Sequence, residues 1–328
     1  MKKNICRFLL ILVISCLLTS SAMAAKTMKV SHNQQVTHPV HVALLSFKEE
    51  VESKTNGSII VDIYPAAQIA DDATGLEQIM MGTLDSAMIM GAASTTLCQG
   101  TNNGAGYIEE LPFLFNDSES ARKAYDGAFG AALTAEAANY GVQVLCYWEN
   151  GFRNMTNNTR PIVKPEDMAG IKFRIAPTDI RRLTFEKLNA VAIPMAFAEL
   201  FTALQQGTVD GQENPLSIIE TSKFYEVQKY LSMSRHIYNT ASFCVNPDWF
   251  ASLTQDEQTI IQEAALKARD YCRQLNDENE ASALDRLAAN GMEINEIDYD
   301  AFVAGVQPVW DYFTTTYGDE LIKLAQNP

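Results

Sequence analysis

The chain has 328 residues, 47% of them hydrophobic, and a formal net charge of −15 at pH 7. So acidic a surface argues against nucleic acid and anionic membrane surfaces as partners, and an anionic ligand would need a cationic pocket built for it. The length suits two domains, and with no internal repeat or low-complexity linker to separate them, they are expected to be interwoven.

Residues 1–24 read as an export signal. Lys2, Lys3 and Arg7 form a basic start, 8–18 is apolar, and Ala22-Met23-Ala24 is a small-x-small cleavage site. The apolar run is about 11 residues, short of the ~20 that a spanning helix needs. Val13-Ile14-Ser15-Cys16 also fits a lipoprotein cleavage box that would leave Cys16 lipidated. Leu17 and Leu18 carry the apolar run past that cysteine and favour cleavage after Ala24. Cleavage there removes three basic residues and no acidic one, so the charge moves from −15 to −18. The expected location is the periplasm.

The first predicted strand is 28–31. His32, Asn33, His38 and His41 follow it. Three histidines within ten residues raise the question of a metal, but their spacing is not a helix-face pair and no acidic ligand accompanies them. They read as polar loop and helix-start residues. A helix is expected over 40–53, after Pro39, then a strand over 59–64. Asp71 and Asp72 precede a helical pattern at 75–81, where acids complement the helix dipole. A strand at 84–90 ends in Met90-Gly91. One helix is expected over 118–140 and a strand over 142–148.

Gly151-Phe152-Arg153-Asn154 follows that strand directly. Arg174 alternates with apolar neighbours in a strand over 172–176, and a helix is expected over 179–188. A further helix-patterned segment leads into Asp210-Gly211-Gln212-Glu213-Asn214-Pro215, which reads as a polar turn. A second amphipathic segment, 217–230, follows. So many polar groups between packed elements need partners. After a strand at 238–245, Thr254-x-x-Glu257 forms a capping box with no Gly or Pro until Gly291. A single helix there would be roughly 54 Å long, more than the diameter of one small domain. Its apolar positions lapse over 276–280 and then resume, as in a helix crossing from one domain to another; two helices broken near Asn276 are the alternative. Strands alternating with helices predict an α/β architecture.

Outside the signal the cysteines are Cys98, Cys146, Cys244 and Cys272. An exported compartment permits disulfides, and four cysteines allow three pairings. Cys146 and Cys244 lie in apolar runs and read as buried thiols. No CxxC spacing supports a redox or metal site.

Residues 195–235 carry the strongest signal. Phe197, Glu199, Leu204 to Gly207, Asp210 to Pro215, Phe224 to Glu226 and Gln228 to Tyr230 resemble the signature of solute-binding proteins of TRAP transporters (tripartite, ATP-independent, periplasmic). The resemblance implies a two-lobed periplasmic binding protein fold with a long spine helix spanning both lobes. The expected lobes are 25–150 plus 240–279, and 151–239 plus 280–328.

Gly170-Ile171-Lys172-Phe173-Arg174 is similar to the family motif whose arginine grips the ligand carboxylate. A planar guanidinium matches a carboxylate fork and keeps its charge. The resemblance also implies that Arg153 faces the same pocket, Asn214 steadies the anion and Phe197 is the aromatic wall. Asn33 and Asp72 are the expected contacts from the first lobe. Met90-Gly91 departs from sugar-acid-binding relatives that place a glutamate there. The implied ligand is a small carboxylate, with a sugar acid or short hydroxy acid first. A C4 dicarboxylate comes next, with Arg153 available for its second carboxylate. The implied partners are the small and large membrane permease subunits, and the protein is expected to be a monomer without cofactor or metal.

An enzyme acting on an organic acid is the rival of another class. The chain has no Gly-x-Ser-x-Gly elbow, His-Glu-x-x-His, phosphate loop or dinucleotide fingerprint. Arginine and asparagine bind well and are poor acid–base groups near neutral pH. A sensory role is indistinguishable from transport by sequence.

Overall fold

The apolar runs become strands of one mixed sheet in a computed structural model that describes residues 25–91, 93 and 103–328. The predicted export signal, with Cys6 and Cys16, lies outside the described residues, as does Cys98. Strands β1 (Lys26–Ser31) and β2 (Ile59–Tyr64) pair in parallel from Lys26↔Ile59 to Ser31↔Tyr64, with α1 (Pro39–Lys54) between them. Pro39 opens α1 because it has no N–H to satisfy, and the His38 ring accepts from the Val40 N–H at 3.2 Å. Val40, Ala43, Leu44, Phe47 and Val51 recur three or four residues apart, and all are buried against the sheet.

Helix α2 (Asp72–Met80) leads to β3 (Ser86–Met90). The helix expected over 118–140 is in fact two, α3 (Ser118–Asp126) and α4 (Ala128–Asn139). Gly127 leaves helical geometry, and Gly130 sits where an added Cβ would lie 1.8 Å from the Tyr125 carbonyl oxygen. Only glycine permits so tight a corner.

Strand β4 (Gln143–Asn157) runs well past the predicted end at 148. It continues because Gly151, at φ 108°, absorbs a register shift between Glu149 and Gly151. Beyond that bulge the strand has new neighbours. There follow β5 (Lys172–Ile175), α5 (Asp179–Lys187), β6 (Val191–Pro194) and α6 (Leu200–Gln205).

The polar run expected as a turn is a buried strand, β7 (Gly211–Pro215), antiparallel to β4 and parallel to β5. Its polar side chains find partners inside the fold, so burial is tolerated. The segment 217–230 is likewise not one element. It divides into α7 (Leu216–Thr221), a short 3-10 turn at Phe224–Glu226 and the start of β8 (Tyr230–Met233), with Lys223 at φ 56° making the corner.

The chain then returns through β9 (Tyr238–Val245), α8 (Pro247–Ala251), the long α9 (Gln255–Ala289) and β10 (Glu293–Glu296). The order across the sheet is β2-β1-β3-β9-β4-β7-β5-β6, with β8 on β4 and β10 on β8. Strand β9 enters between β3 and β4, so the two halves are interwoven.

Helix α9 is continuous, and its capping box forms as expected between Thr254 and Glu257. Ile261, Ala264, Ala265, Ala268 and Cys272 pack in the core of α1 and β1, whereas Ala283 and Leu287 pack in another core with Leu200, Phe224 and Leu231. The polar lapse between them is the crossing point. There the Asn276 side chain donates to the Glu149 carbonyl at 2.9 Å, at the bulge of β4. Among the described residues no helix is long and apolar enough to cross a membrane.

Candidate functional site

Strand β7 carries a buried ionic network that does not itself line the cavity. Glu213 is fully buried, and β4 and α5 each bring an arginine to it. Arg153 grips the Glu213 carboxylate through Nε and Nη2, and its Nη2 also donates to Asn214 Oδ1 at 3.0 Å. Arg153 Nη1 donates to Asn239 Oδ1 at 3.2 Å. Arg181 reaches the same Glu213 at 2.9 Å and forks onto Glu110 with two bonds of 2.7 Å. Burial alone would raise the Glu213 pKa, but Arg153 and Arg181 overcome it and hold the carboxylate well below its ordinary range. His236 Nε2 lies 3.3 Å from Glu213, and burial lowers the pKa of that imidazole.

Arg174, on β5, is only 3% exposed, yet its setting differs. Its Nε donates to the Met195 carbonyl at 2.9 Å, and its guanidinium carbon stands 5.8 Å from the Phe197 ring centre. Among the described residues no carboxylate forms an ion pair with it. Burial pushes its pKa below the usual arginine range, and nearby Glu213 partly restores it. A buried cation without a paired counter-charge is costly, and a carboxylate supplied from outside would reduce that cost.

Arg174 faces a cavity of about 630 Å³. Phe197, Phe201 and Phe224 form an aromatic cluster on one wall, with ring centres 6.2 and 6.4 Å from Phe224. The other wall comes from the loops after β1 and β2 and the start of α2: Asn33, Ala66, Ala67, Asp71 and Asp72. Asn33 donates to Asp72 Oδ2 and accepts from Gln34 Nε2 at 2.7 Å. Asp71 caps α2 by accepting from the Thr74 N–H at 2.8 Å.

Asp72 is half-buried as a residue, but its Oδ1 is covered and lacks a partner of hydrogen-bonding geometry. Burial raises its pKa to about 8, with Asp71 adding to the rise and the Met90 amide and Arg174 opposing it. At neutral pH this carboxyl is therefore predominantly a neutral group that can donate.

The predicted residues thus fall into two sets. Arg174, Phe197, Asn33 and Asp72 line the cavity. Arg153 and Asn214 lie together outside its lining, in the Glu213 network. Arg153, expected to be available for a second carboxylate, is engaged instead by Glu213, which lies on the neighbouring strand.

The histidines form no metal centre. His32 and His41 bond each other at 3.0 Å, and His38 bridges from the start of α1 to Ser217 at 3.2 Å. Burial lowers the pKa of both His32 and His38 to about 3, so both rings are neutral at physiological pH. Among the described residues no three His, Cys, Asp or Glu side chains converge as metal ligands. Cys146, Cys244 and Cys272 are buried free thiols.

Sequence reading missed Arg181, Glu110, Phe201 and Phe224 as parts of the site. The Arg181–Glu110 pair joins residues 71 apart in the chain, and no local pattern announces it. Phe201 and Phe224 lie within residues 195–235, but no local pattern marks either as lining a cavity.

Residues 30–316 match the family described as bacterial extracellular solute-binding protein, family 7 (DctP). The 2,3-diketo-L-gulonate-binding periplasmic protein YiaO of Escherichia coli K12 is 31% identical over 290 residues, covering 87% of this chain and 85% of that protein. A TRAP periplasmic solute-binding protein from Polaromonas sp. JS666, solved with D-erythronate bound, superposes with a TM-score of 0.87 at 33% identity, covering 92% of this chain and 98% of the other. A counterpart from Sulfurospirillum deleyianum, solved with succinate, gives a TM-score of 0.86 at 29% identity, covering 93% and 99%.

Proposed function

The chain belongs to bacterial extracellular solute-binding protein family 7, the DctP family, and from that membership we propose that it captures a small organic acid between two lobes and delivers it to a TRAP permease in the membrane. The proposed lobes are 25–150 plus 240–279, and 151–239 plus 280–328. Export follows cleavage after Ala24 and places the protein in the periplasm. It acts as a monomer, hands its cargo to the small and large membrane subunits and catalyses no reaction on it.

The observation that carries this reading is Arg174: a buried guanidinium, open to the cavity and without an ion-pair partner among the described residues. The ligand carboxylate completes that pair. Phe197 stacks on the guanidinium and walls the ligand. Arg153 and Asn214 act from behind, holding the strand and the local field with Glu213. The Asn33–Asp72 pair offers a hydroxyl contact from the opposite wall.

A thermal-shift screen against small carboxylates and neutral sugars tests the proposal. A true ligand at a hundred times its dissociation constant adds about 2.7 kcal/mol of stability. Shifts confined to carboxylates support the reading; shifts from neutral sugars alone contradict it. Turnover of a bound acid would revive the enzymatic rival.

A further inference from the structure

We infer that the acid held in this cavity carries a single carboxylate on a branched or aromatic body, and is neither a dicarboxylate nor a polyhydroxylated acid. This rests on the proposed function and concerns the same cavity.

The first ground is the number of anchors. Of the four buried arginines, Arg153 and Arg181 are already forked onto Glu213 and Glu110 and Arg273 pairs with Asp126, which leaves Arg174. Lys223 reaches the cavity rim, but its side chain is 63% exposed and turned to Glu226 at 3.8 Å. The acidic members of the lining are Asp71 and Asp72. A second carboxylate near Asp71 would meet a like charge, which disfavours binding, and the neutral Asp72 supplies no positive charge to offset it.

The second ground is the lining. Ala176, Pro177 and Ala196 join the phenylalanines on the Arg174 side, and Ala66, Ala67 and Ala73 face them. Few polar groups remain. Thr221 Oγ1 donates to Ser217 O at 2.7 Å, Asn33 and Asp72 bond each other, Asp71 caps α2 and Lys223 turns to Glu226, leaving Gln35 and Ser222. A chain of hydroxyls would lose water here without replacing its hydrogen bonds. One hydroxyl at the Asn33–Asp72 pair is accommodated.

The third ground is backbone conformation. Ala66 and Ala67 stand at φ 52° and 57°, where glycine is the unstrained residue. Alanine there places two methyl groups on the cavity wall against the local backbone preference, and an apolar ligand body is what those methyls would contact.

Isothermal titration of the purified protein at pH 7 with four acids tests the inference. The probes are mandelate, 2-hydroxy-4-methylpentanoate, gluconate and malate. We expect mandelate or 2-hydroxy-4-methylpentanoate to bind at least tenfold more tightly than gluconate and malate. The A66G and A67G variants should each bind that acid about fourfold more weakly, one methyl contact being lost. Their melting temperatures should not fall, because glycine suits positive φ. Tighter binding of gluconate or malate overturns this inference and leaves the carboxylate-binding function standing. Unchanged affinity in both glycine variants also overturns it. Failure of all four acids to bind at millimolar concentration overturns both readings.

Discussion

At Arg174 the cation is held in place by one backbone carbonyl and one aromatic face, and the residue lines the cavity. Removing one partner of a buried ion pair costs about 3–5 kcal/mol, so Arg174→Ala should weaken acid binding at least a hundredfold. Circular dichroism should show the fold intact, and undiminished affinity would remove the carboxylate clamp. Arg174→Lys should not restore binding fully, since a point charge lacks the planar fork. Phe197→Ala should weaken binding less than Arg174→Ala does; a larger loss would mean that the contacts are ranked wrongly.

Asp72 gives a pH prediction at the same scale. Its folded-state pKa, raised to about 8 from an ordinary 3.8, means that the folded protein keeps a proton which the unfolded chain releases. The stability this contributes is fully present below about pH 3.8 and is lost as the pH rises through 8. Asp72→Asn should flatten that loss. The melting temperature of the variant relative to the parent should climb from pH 4 to pH 8; a constant difference would show that Asp72 does not titrate in this window.

Among the elements, β7 joins the two tasks of fold and site. A strand reading Gly-Gln-Glu-Asn-Pro is a poor strand by propensity, with no β-branched or aromatic residue. It is held by its neighbours: Arg153 from β4, Arg181 from α5, and a Gln212–Thr156 bond of 2.9 Å. Glu213→Gln would leave two buried arginines short of a counter-charge. We expect destabilisation of about 3–5 kcal/mol in urea unfolding, with apo structure affected as well as binding. A loss below 1 kcal/mol would mean that Glu110 alone suffices for Arg181 and that Arg153 finds water. The long helix α9 works differently. Its two apolar stretches serve separate cores, and the polar residues between them meet β4 where Gly151 bends.

For the whole molecule, the cavity lining comes from different parts of the chain, and under the proposed function the acid bridges them. Asn33, Ala66, Ala67, Asp72 and Ala73 come from the region of β1, β2 and α2; Arg174 and the phenylalanines come from β5 and the segments after β6. An acid that touches both walls favours their approach, since it binds the closed arrangement better than the open one. Small-angle scattering should therefore show a smaller radius of gyration with saturating acid than without it, and Arg174→Ala should abolish the change. An unaltered radius in the parent protein with bound acid would mean that capture needs no closure.

The sequence by itself determined the family, the α/β alternation, the uninterrupted long helix and the strand that carries Arg174, because each leaves a local mark: a dense signature, a periodicity, a capping box, an apolar alternation. It placed Phe197, Asn33 and Asp72 where the structure lines a cavity with them. It misread the polar run at 211–215 as a turn and did not see that Arg153 is engaged by Glu213, 60 residues away. Those outcomes depend on which strands become neighbours. Burial of charge is decided by partners brought together through packing, and only the tertiary structure specifies which of the four buried arginines remains free to receive an anion.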